Sequence, residues 1–407
     1  MGDLYASCPL DRTRREIRLL TLEPNNDEDI TRCSLQTYSP ENCPSYTALS
    51  YTWGADVMHT NIEINGVSVP IRENLWDFVH QQLLHGNYGP FWIDAICIQQ
   101  SEVDERNHQV RLMSSIYSEA GRVLIWLGKE GDDSDIAMQI LDGDLVDWTK
   151  QLNLDTDESD ESDDSDDSDE IDDSDEDRNW PRPTRSVPRF KRFLTSTEDR
   201  SITALCNRRY WSRMWIIQEV MLADYLEIHC GSKIVSLSSL VLSLEDLASA
   251  VRHLELMDPS FSYDKTYMSH LDEILASPAM DIAMIRGQST PRVSVTFSDL
   301  LEAYGDHECG DIRDKVYALV GVAEYGQSIK IDYRKSAKDV LIDLLYHEGN
   351  RIKHRKTIFK HQRWEGDELF KFAQLLSRVL NVPLSETEIQ LHVSQSESVA
   401  MFLDWEE

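Results

Sequence analysis

Two apolar runs constrain how this chain can fold. Phe91–Ile98 and Arg122–Leu127 have the near-continuous apolar character of strands buried on both faces. Between them Val110, Met113, Tyr117 and Ala120 recur at helical spacing, with Ile116 beside them. Ser101-Glu-Val-Asp104 precedes that helix as a capping-box pattern, and Glu102, Asp104 and Glu105 load its first turn with negative charge. Upstream, Tyr46–Thr52 has strand character and Leu75–Leu84 helical character. Strand, helix, strand, helix and strand in this order predict a parallel sheet with helices on both faces.

The flanking segments add to this unit. Arg15–Leu22 and Thr31–Thr37 are short β-prone runs, and Asn61–Ile64 and Val67–Ile71 flank Asn65-Gly66, a strong hairpin signal. A helix is expected from Ser201 to about Ala223, then a hairpin of Tyr225–His229 and Lys233–Ser236 around Gly231-Ser232. Further helices are expected over Leu237–Leu254, Ser298–Tyr304, Arg313–Val322 and Ala337–Tyr346. At 407 residues the chain exceeds one comfortable core. The expected division is a β-rich lead-in over 1–45, a central α/β domain over 46–223 with an acidic insert at about 150–188, a hairpin and helical region over 224–350, and a mixed tail over 351–407.

The net charge of −33 is concentrated: Asp155–Asp177 holds 16 acidic residues and no Lys or Arg, leaving −17 elsewhere. Such a tract cannot bury enough apolar surface to offset its ordering entropy and is expected to be disordered. A basic stretch from Arg178 to Arg192 follows and could pair loosely with it. An acidic chain gains no general attraction to phosphate backbones, which argues against nucleic-acid binding. Seven cysteines without C-x-x-C spacing fit free thiols in a reducing, cytoplasmic compartment. The N-terminus has no apolar signal region, Ala6 departs from the myristoylation pattern, and no stretch approaches the ~20 apolar residues of a membrane span.

The candidate chemistry gathers at strand ends and on one helix face. At helical spacing Tyr210, Met214, Ile217 and Met221 form a core stripe, while Trp211, Trp215 and Glu219 form a second face. A carboxylate on an aromatic face suits either a cleft that takes a sugar or nicotinamide ring, or a structural pair with Arg213 or Arg209. Trp92-Ile-Asp94 ends a buried strand, where doubly wound sheets bind ligands, so Asp94 is placed for a site or for capping a turn. Tyr51-Thr-Trp53-Gly54 has the same layout. Glu105 and Gln109 stand one turn apart and are expected to brace a loop. Phosphate-cradling glycine motifs, G-x-S-x-G and H-E-x-x-H are absent, and Cys97 has no adjacent histidine; no cofactor and no metal are expected.

Three dense blocks carry a family resemblance: Tyr46-Thr-Ala-Leu-Ser-Tyr-Thr-Trp-Gly54, Phe91–Gly128 and Arg209-Tyr-Trp-Ser-Arg-Met-Trp-Ile-Ile-Gln-Glu219. Their wording and order resemble the fungal heterokaryon-incompatibility (HET) domain, and Arg15–Leu20 and Asp311–Val320 resemble segments that flank it. The resemblance implies a signalling protein of fungal non-self recognition and programmed cell death, acting through self-association or another incompatibility protein. HET domains are regarded as distant relatives of TIR domains, which implies a TIR-like, flavodoxin-like fold. Many TIR domains cleave NAD with a Glu in a Trp-x-x-x-Glu-like helix. Trp215-Ile-Ile-Gln-Glu219 looks like that position, implying an NAD glycohydrolase with Glu219 as catalytic carboxylate. Trp53 or Trp215 would then stack on a ring, Asp94 or Arg213 would orient hydroxyls or phosphates, and Tyr51 would complete the binding set. The alternative is a non-enzymatic, self-associating interaction module.

Overall fold

The structure, a computed structural model, describes residues 2–24, 30–144, 196–257, 272–287, 295–358 and 368–399. The acidic tract and the basic stretch after it lie outside these residues. The described strands are β1 (Ile17–Leu22), β2 (Arg32–Tyr38), β3 (Thr47–Tyr51), β4 (Met58–Ile64), β5 (Val67–Arg72), β6 (Phe91–Trp92), β7 (Arg122–Trp126), β8 (Leu226–Cys230) and β9 (Lys233–Ser236). They form one nine-stranded sheet in the order β5-β4-β2-β1-β6-β3-β7-β8-β9.

The sheet is mixed rather than parallel throughout. Its centre, β6-β3-β7-β8, is parallel, with Thr47 facing both Phe91 and Arg122, Tyr51 facing Trp126, and Trp126 facing His229. Taken in chain order these four strands lie 2-1-3-4, so the chain leaves β3 to one side for β6 and crosses to the other for β7. The N-terminal strands extend the same sheet: β1 runs antiparallel to β2 and meets β6 through Leu20 and Phe91. Asn65 and Gly66 both take positive φ (50° and 79°), the two-residue turn that aligns β4 with β5.

Apolar content marked burial in this region, but not always geometry. Phe91, Trp92, Ile93, Ile96, Cys97 and Ile98 are all buried, yet only Phe91–Trp92 is strand. Asp94–Cys97 winds one helical turn, with the Cys97 amide donating to the Ile93 carbonyl at 2.7 Å. A short buried helical turn and a buried strand carry the same apolar signature. The following helix, Val103–Glu119, has Glu102 as N-cap without a side-chain cap bond, so the expected capping box does not form. Glu105 instead receives Arg18 and the Gln99 amide. Tyr46 and Tyr117 pin this helix to the sheet through the carbonyls of Ile116 (2.7 Å) and Leu49 (3.1 Å).

The expected helix from Ser201 to Ala223 is broken. Ser196–Cys206 is helical, Arg209–Ser212 is a 3₁₀ turn, Arg213 is extended, and Ile216–Leu222 is helical again. The Arg208 guanidinium donates to the carbonyls of Leu127 and Lys129 (2.9 and 3.0 Å), and Arg213 forms a bridge with Glu308. These tertiary bonds override helical propensity.

The region after β9 is helical, as expected: Leu237–Met257, Pro278–Gly287, Phe297–Tyr304, Asp314–Tyr317 and Ala337–Ile358. The helix expected over Arg313–Val322 is confined to one turn, while the one from Ala337 is longer. The tail, expected to be mixed, carries two helices, Glu368–Val379 and Glu386–Val399. No described helix is long and apolar enough to cross a membrane, and all seven cysteines are free thiols.

Candidate functional site

A cleft of about 680 Å³ opens past the carboxyl ends of β3 and β6, the first of which borders the β3/β7 point where the chain order of the parallel strands reverses. Thr52, Trp53 and Gly54 reach it from the loop after β3, and Asp94, Ile98 and Gln100 from the turn after β6. Arg106, Val110 and Met113 come from the Val103–Glu119 helix, and Arg209, Arg213, Trp215 and Glu219 from the broken segment after β7. Asp306–Lys315 and Tyr333 form the remaining wall.

The loop after β3 is fixed from below. Gly54 has φ of 77°, a conformation open to glycine, and the Asn74 side chain donates to the Thr52 carbonyl at 2.6 Å while accepting the Trp126 indole at 3.0 Å. The Trp53 indole donates to Asp94 Oδ2 at 2.9 Å. Asp94 Oδ1 also accepts the Ala95 amide at 2.7 Å, so this carboxylate caps its own turn and faces the cleft at once.

Glu219 is 3% exposed and sits at the centre of a buried polar group. Ser50 donates to its Oε2, and Arg213 Nη1 lies 3.7 Å away. Ser50 and Tyr210 share a hydrogen bond of 2.6 Å. Burial raises the Glu219 carboxyl above the usual carboxylate range, opposed by Arg213 and Ser50. Burial likewise raises Asp94, opposed by Arg213 and the Trp53 indole. For Arg213, burial works against the charge but Glu219, Tyr210 and Asp94 outweigh it, so the guanidinium is held charged. Its Nη1 makes no hydrogen bond and is buried facing Glu219.

Trp53, Asp94, Arg213, Trp215 and Glu219 are thus brought to one cleft. Tyr51 is buried near Asp94 and Arg213 and does not line it; burial pushes its hydroxyl well above the ordinary range. Trp215 is the N-cap of the Ile216–Leu222 helix, one turn before Glu219, whose amide donates to its carbonyl at 3.3 Å. Trp211 does not share that face, because the helix breaks between them. It is fully buried, its indole donating to the Leu205 carbonyl at 3.0 Å. Glu105 and Gln109 brace as expected: Gln109 donates to the Glu16 carbonyl at 2.8 Å.

Sequence reasoning missed the opposite wall. Asp314 accepts from the Tyr333 hydroxyl at 2.6 Å, and burial pushes its carboxyl up to about 6. Asp311–Val320 had been singled out as a block without a chemical role; the polar spacing Asp311, Arg313, Asp314 was its only signal. Burial pushes the Cys97 thiol up to about 12, which keeps it protonated. Among the described residues, no group of three or more His, Cys, Asp or Glu is arranged to hold a metal ion. The site offers buried carboxyls, a charged guanidinium and two indole faces, suited to a cationic aromatic ring on a sugar.

Residues 46–219 match the family model described as heterokaryon incompatibility protein (HET). The Neurospora crassa protein named heterokaryon incompatibility protein 6, OR allele, is 26% identical over 428 residues, covering 95% of this chain and 58% of that relative. The chain therefore spans a little over half the length of the curated relative it matches. No solved structure matches.

Proposed function

We propose that this chain, a HET-domain protein over residues 46–219, serves in fungal incompatibility and cell death, and that its cleft cleaves NAD. The observation that carries the reading is the convergence of Glu219, Asp94, Arg213, Trp53 and Trp215 on one cleft past the ends of β3 and β6. The 2-1-3-4 order of the parallel strands supports a TIR-like, flavodoxin-like fold, and the free thiols support a reducing, cytoplasmic setting.

The chemistry needs few parts. The nicotinamide of NAD is cationic, so when the bond from its ring nitrogen to ribose C1′ breaks, the electron pair neutralises the ring and no general acid is required. The ribose gains oxocarbenium character, which the Glu219 carboxylate stabilises. Water then bonds to C1′ and gives up its proton, leaving ADP-ribose and free nicotinamide. Trp53 or Trp215 stacks on a ring, Arg213 orients a phosphate or hydroxyl, and Asp94 takes a ribose hydroxyl.

A second reading is a non-enzymatic module that works by self-association or by contact with another incompatibility protein. It is favoured by the engagement of Glu219 with Ser50 and Arg213, a pattern that also suits a structural pair. The test is nicotinamide release from NAD by concentrated protein beside Glu219→Gln. Release by wild type and its loss in a folded variant support cleavage. Equal release in the variant removes Glu219 as the catalytic carboxylate, and no release from folded, self-associated wild type moves the reading to the module.

A further inference from the structure

Five Arg and Lys side chains line the cleft, and four of them are spent on the protein. Arg72 pairs with Asp56 at 2.6 Å, Arg209 with Glu308 at 2.9 Å and Arg213 with Glu219 at 3.7 Å. Lys315 Nζ donates to the carbonyls of Gly305 and His307. Arg106 differs. Among the described residues its guanidinium takes part in no hydrogen bond and no ion pair, and its Nε is buried without a partner.

Arg106 reaches the cleft because of its place on the Val103–Glu119 helix. Arg106, Val110 and Met113 fall at i, i+4 and i+7 on one face, and all three line the cleft. The guanidinium lies over the Tyr333 ring, 4.0 Å from its centroid. That ring is itself fixed. Its hydroxyl donates to Asp314 at 2.6 Å, its backbone amide donates to Asn107 Oδ1 at 3.0 Å, and the Tyr317 ring meets it edge-on at 5.1 Å. The carboxyls that feel the Arg106 charge, Asp311 and Asp314, are engaged elsewhere. Asp311 takes Arg313 through two bonds of 2.8 and 2.5 Å, and Asp314 takes the Tyr333 hydroxyl.

We infer that Arg106 is the anion anchor of this cleft and receives a phosphate group of the ligand. A planar guanidinium offers N–H donors in a fixed fork that matches two phosphate oxygens, and stacking on a held ring fixes that fork before the ligand arrives. The terminal nitrogens are the donors left for it, since Nε is buried. The inference rests on the NAD reading for the identity of the ligand, and on geometry for the site. It sends the pyrophosphate to Arg106 and the rings to Trp53 and Trp215, and leaves Arg213, already paired with Glu219, for a hydroxyl.

The test uses the full chain with ¹⁵N-labelled arginine. The Arg106 Nε–Hε resonance, identified by its loss in Arg106→Gln or Arg106→Lys, is followed on titration with ADP-ribose, with inorganic pyrophosphate and with adenosine. The two phosphates are expected to shift it to saturation and adenosine to leave it in place. ADP-ribose is expected to bind Arg106→Gln about tenfold more weakly than wild type, with Arg106→Lys between them because it keeps the charge and loses the fork. A resonance unmoved by both phosphates, or moved as far by adenosine, overturns the anchor. So does equal ADP-ribose affinity in wild type and a folded Arg106→Gln. Movement by pyrophosphate alone keeps the anchor and takes the nucleotide out of the cleft, so that the cleavage reading fails without it. With turnover, Arg106→Gln is expected to raise KM for NAD about tenfold with kcat changed less than about twofold, because a phosphate remote from ribose C1′ is held alike before and during bond breaking. Turnover with an unchanged KM retains cleavage and removes the anchor.

Discussion

The Trp53 indole donates to Asp94 at 2.9 Å, joining residues that follow β3 and β6, two parallel strands adjacent in the sheet. The bond latches the two loops from which one end of the cleft is built. The rest of Asp94 is committed nearby: its Oδ1 takes the Ala95 amide and its carbonyl takes Gln100 Nε2 at 2.9 Å. The guanidinium of Arg72 covers the Trp53 ring at 5.2 Å from its centroid.

Trp53→Phe keeps a six-membered ring under Arg72 and removes the donor together with the pyrrole half of the indole. The variant is expected to lose about 1 kcal/mol of stability, the typical net worth of one hydrogen bond. The Asp94 carboxyl should also titrate at higher pH, because burial raises it and the indole is one of the groups holding it down. Carboxyl ¹³C chemical shifts recorded against pH give the check. An Asp94 midpoint that falls or stays fixed contradicts the latch.

Arg18 and Glu105 predict a larger effect. Arg18 is 1% exposed and meets Glu105 at 2.6 and 3.0 Å through two nitrogens, with further bonds to the carbonyls of Cys8 and Cys97. Glu105→Ala leaves that guanidinium buried without its counter-charge and is expected to cost about 3–5 kcal/mol in chemical denaturation. Burial pushes the Glu105 carboxyl up, but Arg18 and the Gln99 amide outweigh it, so the folded value is lowered. A lowered carboxyl contributes stability that is present above its unfolded value and is lost as pH falls through the folded one. Glu105→Gln should therefore show a shallower decline below about pH 4.5 than wild type. Parallel acid limbs would remove Glu105 as a source of that decline.

Local signals in the sequence were legible, and long-range ones were not. Asn65-Gly66 set its hairpin because the turn depends on two residues, and the Trp215–Glu219 spacing survived because both belong to one helical turn. Trp211 failed because its place on that face required an unbroken helix, and the break is made by Arg208 and Glu308, the latter about 100 residues away. Asp314 was hidden for the same reason: nothing local ties it to the cleft it lines. The Glu368–Val379 helix is a different kind of miss. Leu369, Phe372, Ala373, Leu376 and Val379 recur at helical spacing and are buried, so the signal was present and went unused.

Gly321 sets how closely the wall carrying Asp314 approaches the domain. A Cβ there would lie 2.7 Å from both Gln218 Oε1 and Ser114 Cβ, on two helices that contribute to the cleft. Gly321→Ala is expected to cost about 1–3 kcal/mol and to disturb the Trp215 environment. Gly66→Ala is the contrast, with nothing within 4 Å and a cost arising from its φ of 79° alone. Denaturation midpoints with Trp215 indole spectra separate them: both variants lose stability, but only Gly321→Ala should move the indole. An unchanged indole in that variant would show that the close approach does not carry to the cleft.

Asp314 gives the wild-type protein a pH dependence opposite to that from Glu105. Its folded carboxyl is raised to about 6 by burial, above the ordinary 3.8 that the unfolded chain keeps. Between those values the folded state holds a proton that the unfolded state has released, so stability falls as pH rises through this window and levels off above it. Asp314→Asn carries no titrating group and retains an oxygen for the Tyr333 hydroxyl. The stability of Asp314→Asn relative to wild type should therefore climb from about pH 4 to pH 6 by on the order of 2 kcal/mol and then stay constant. Taking the difference between the two proteins at each pH removes titrations they share. Thermal melts across pH 3.5–8 supply the measurement. A difference that is flat, or that shrinks toward neutral pH, would mean that the buried Asp314 carboxyl ionises at no cost in the folded state.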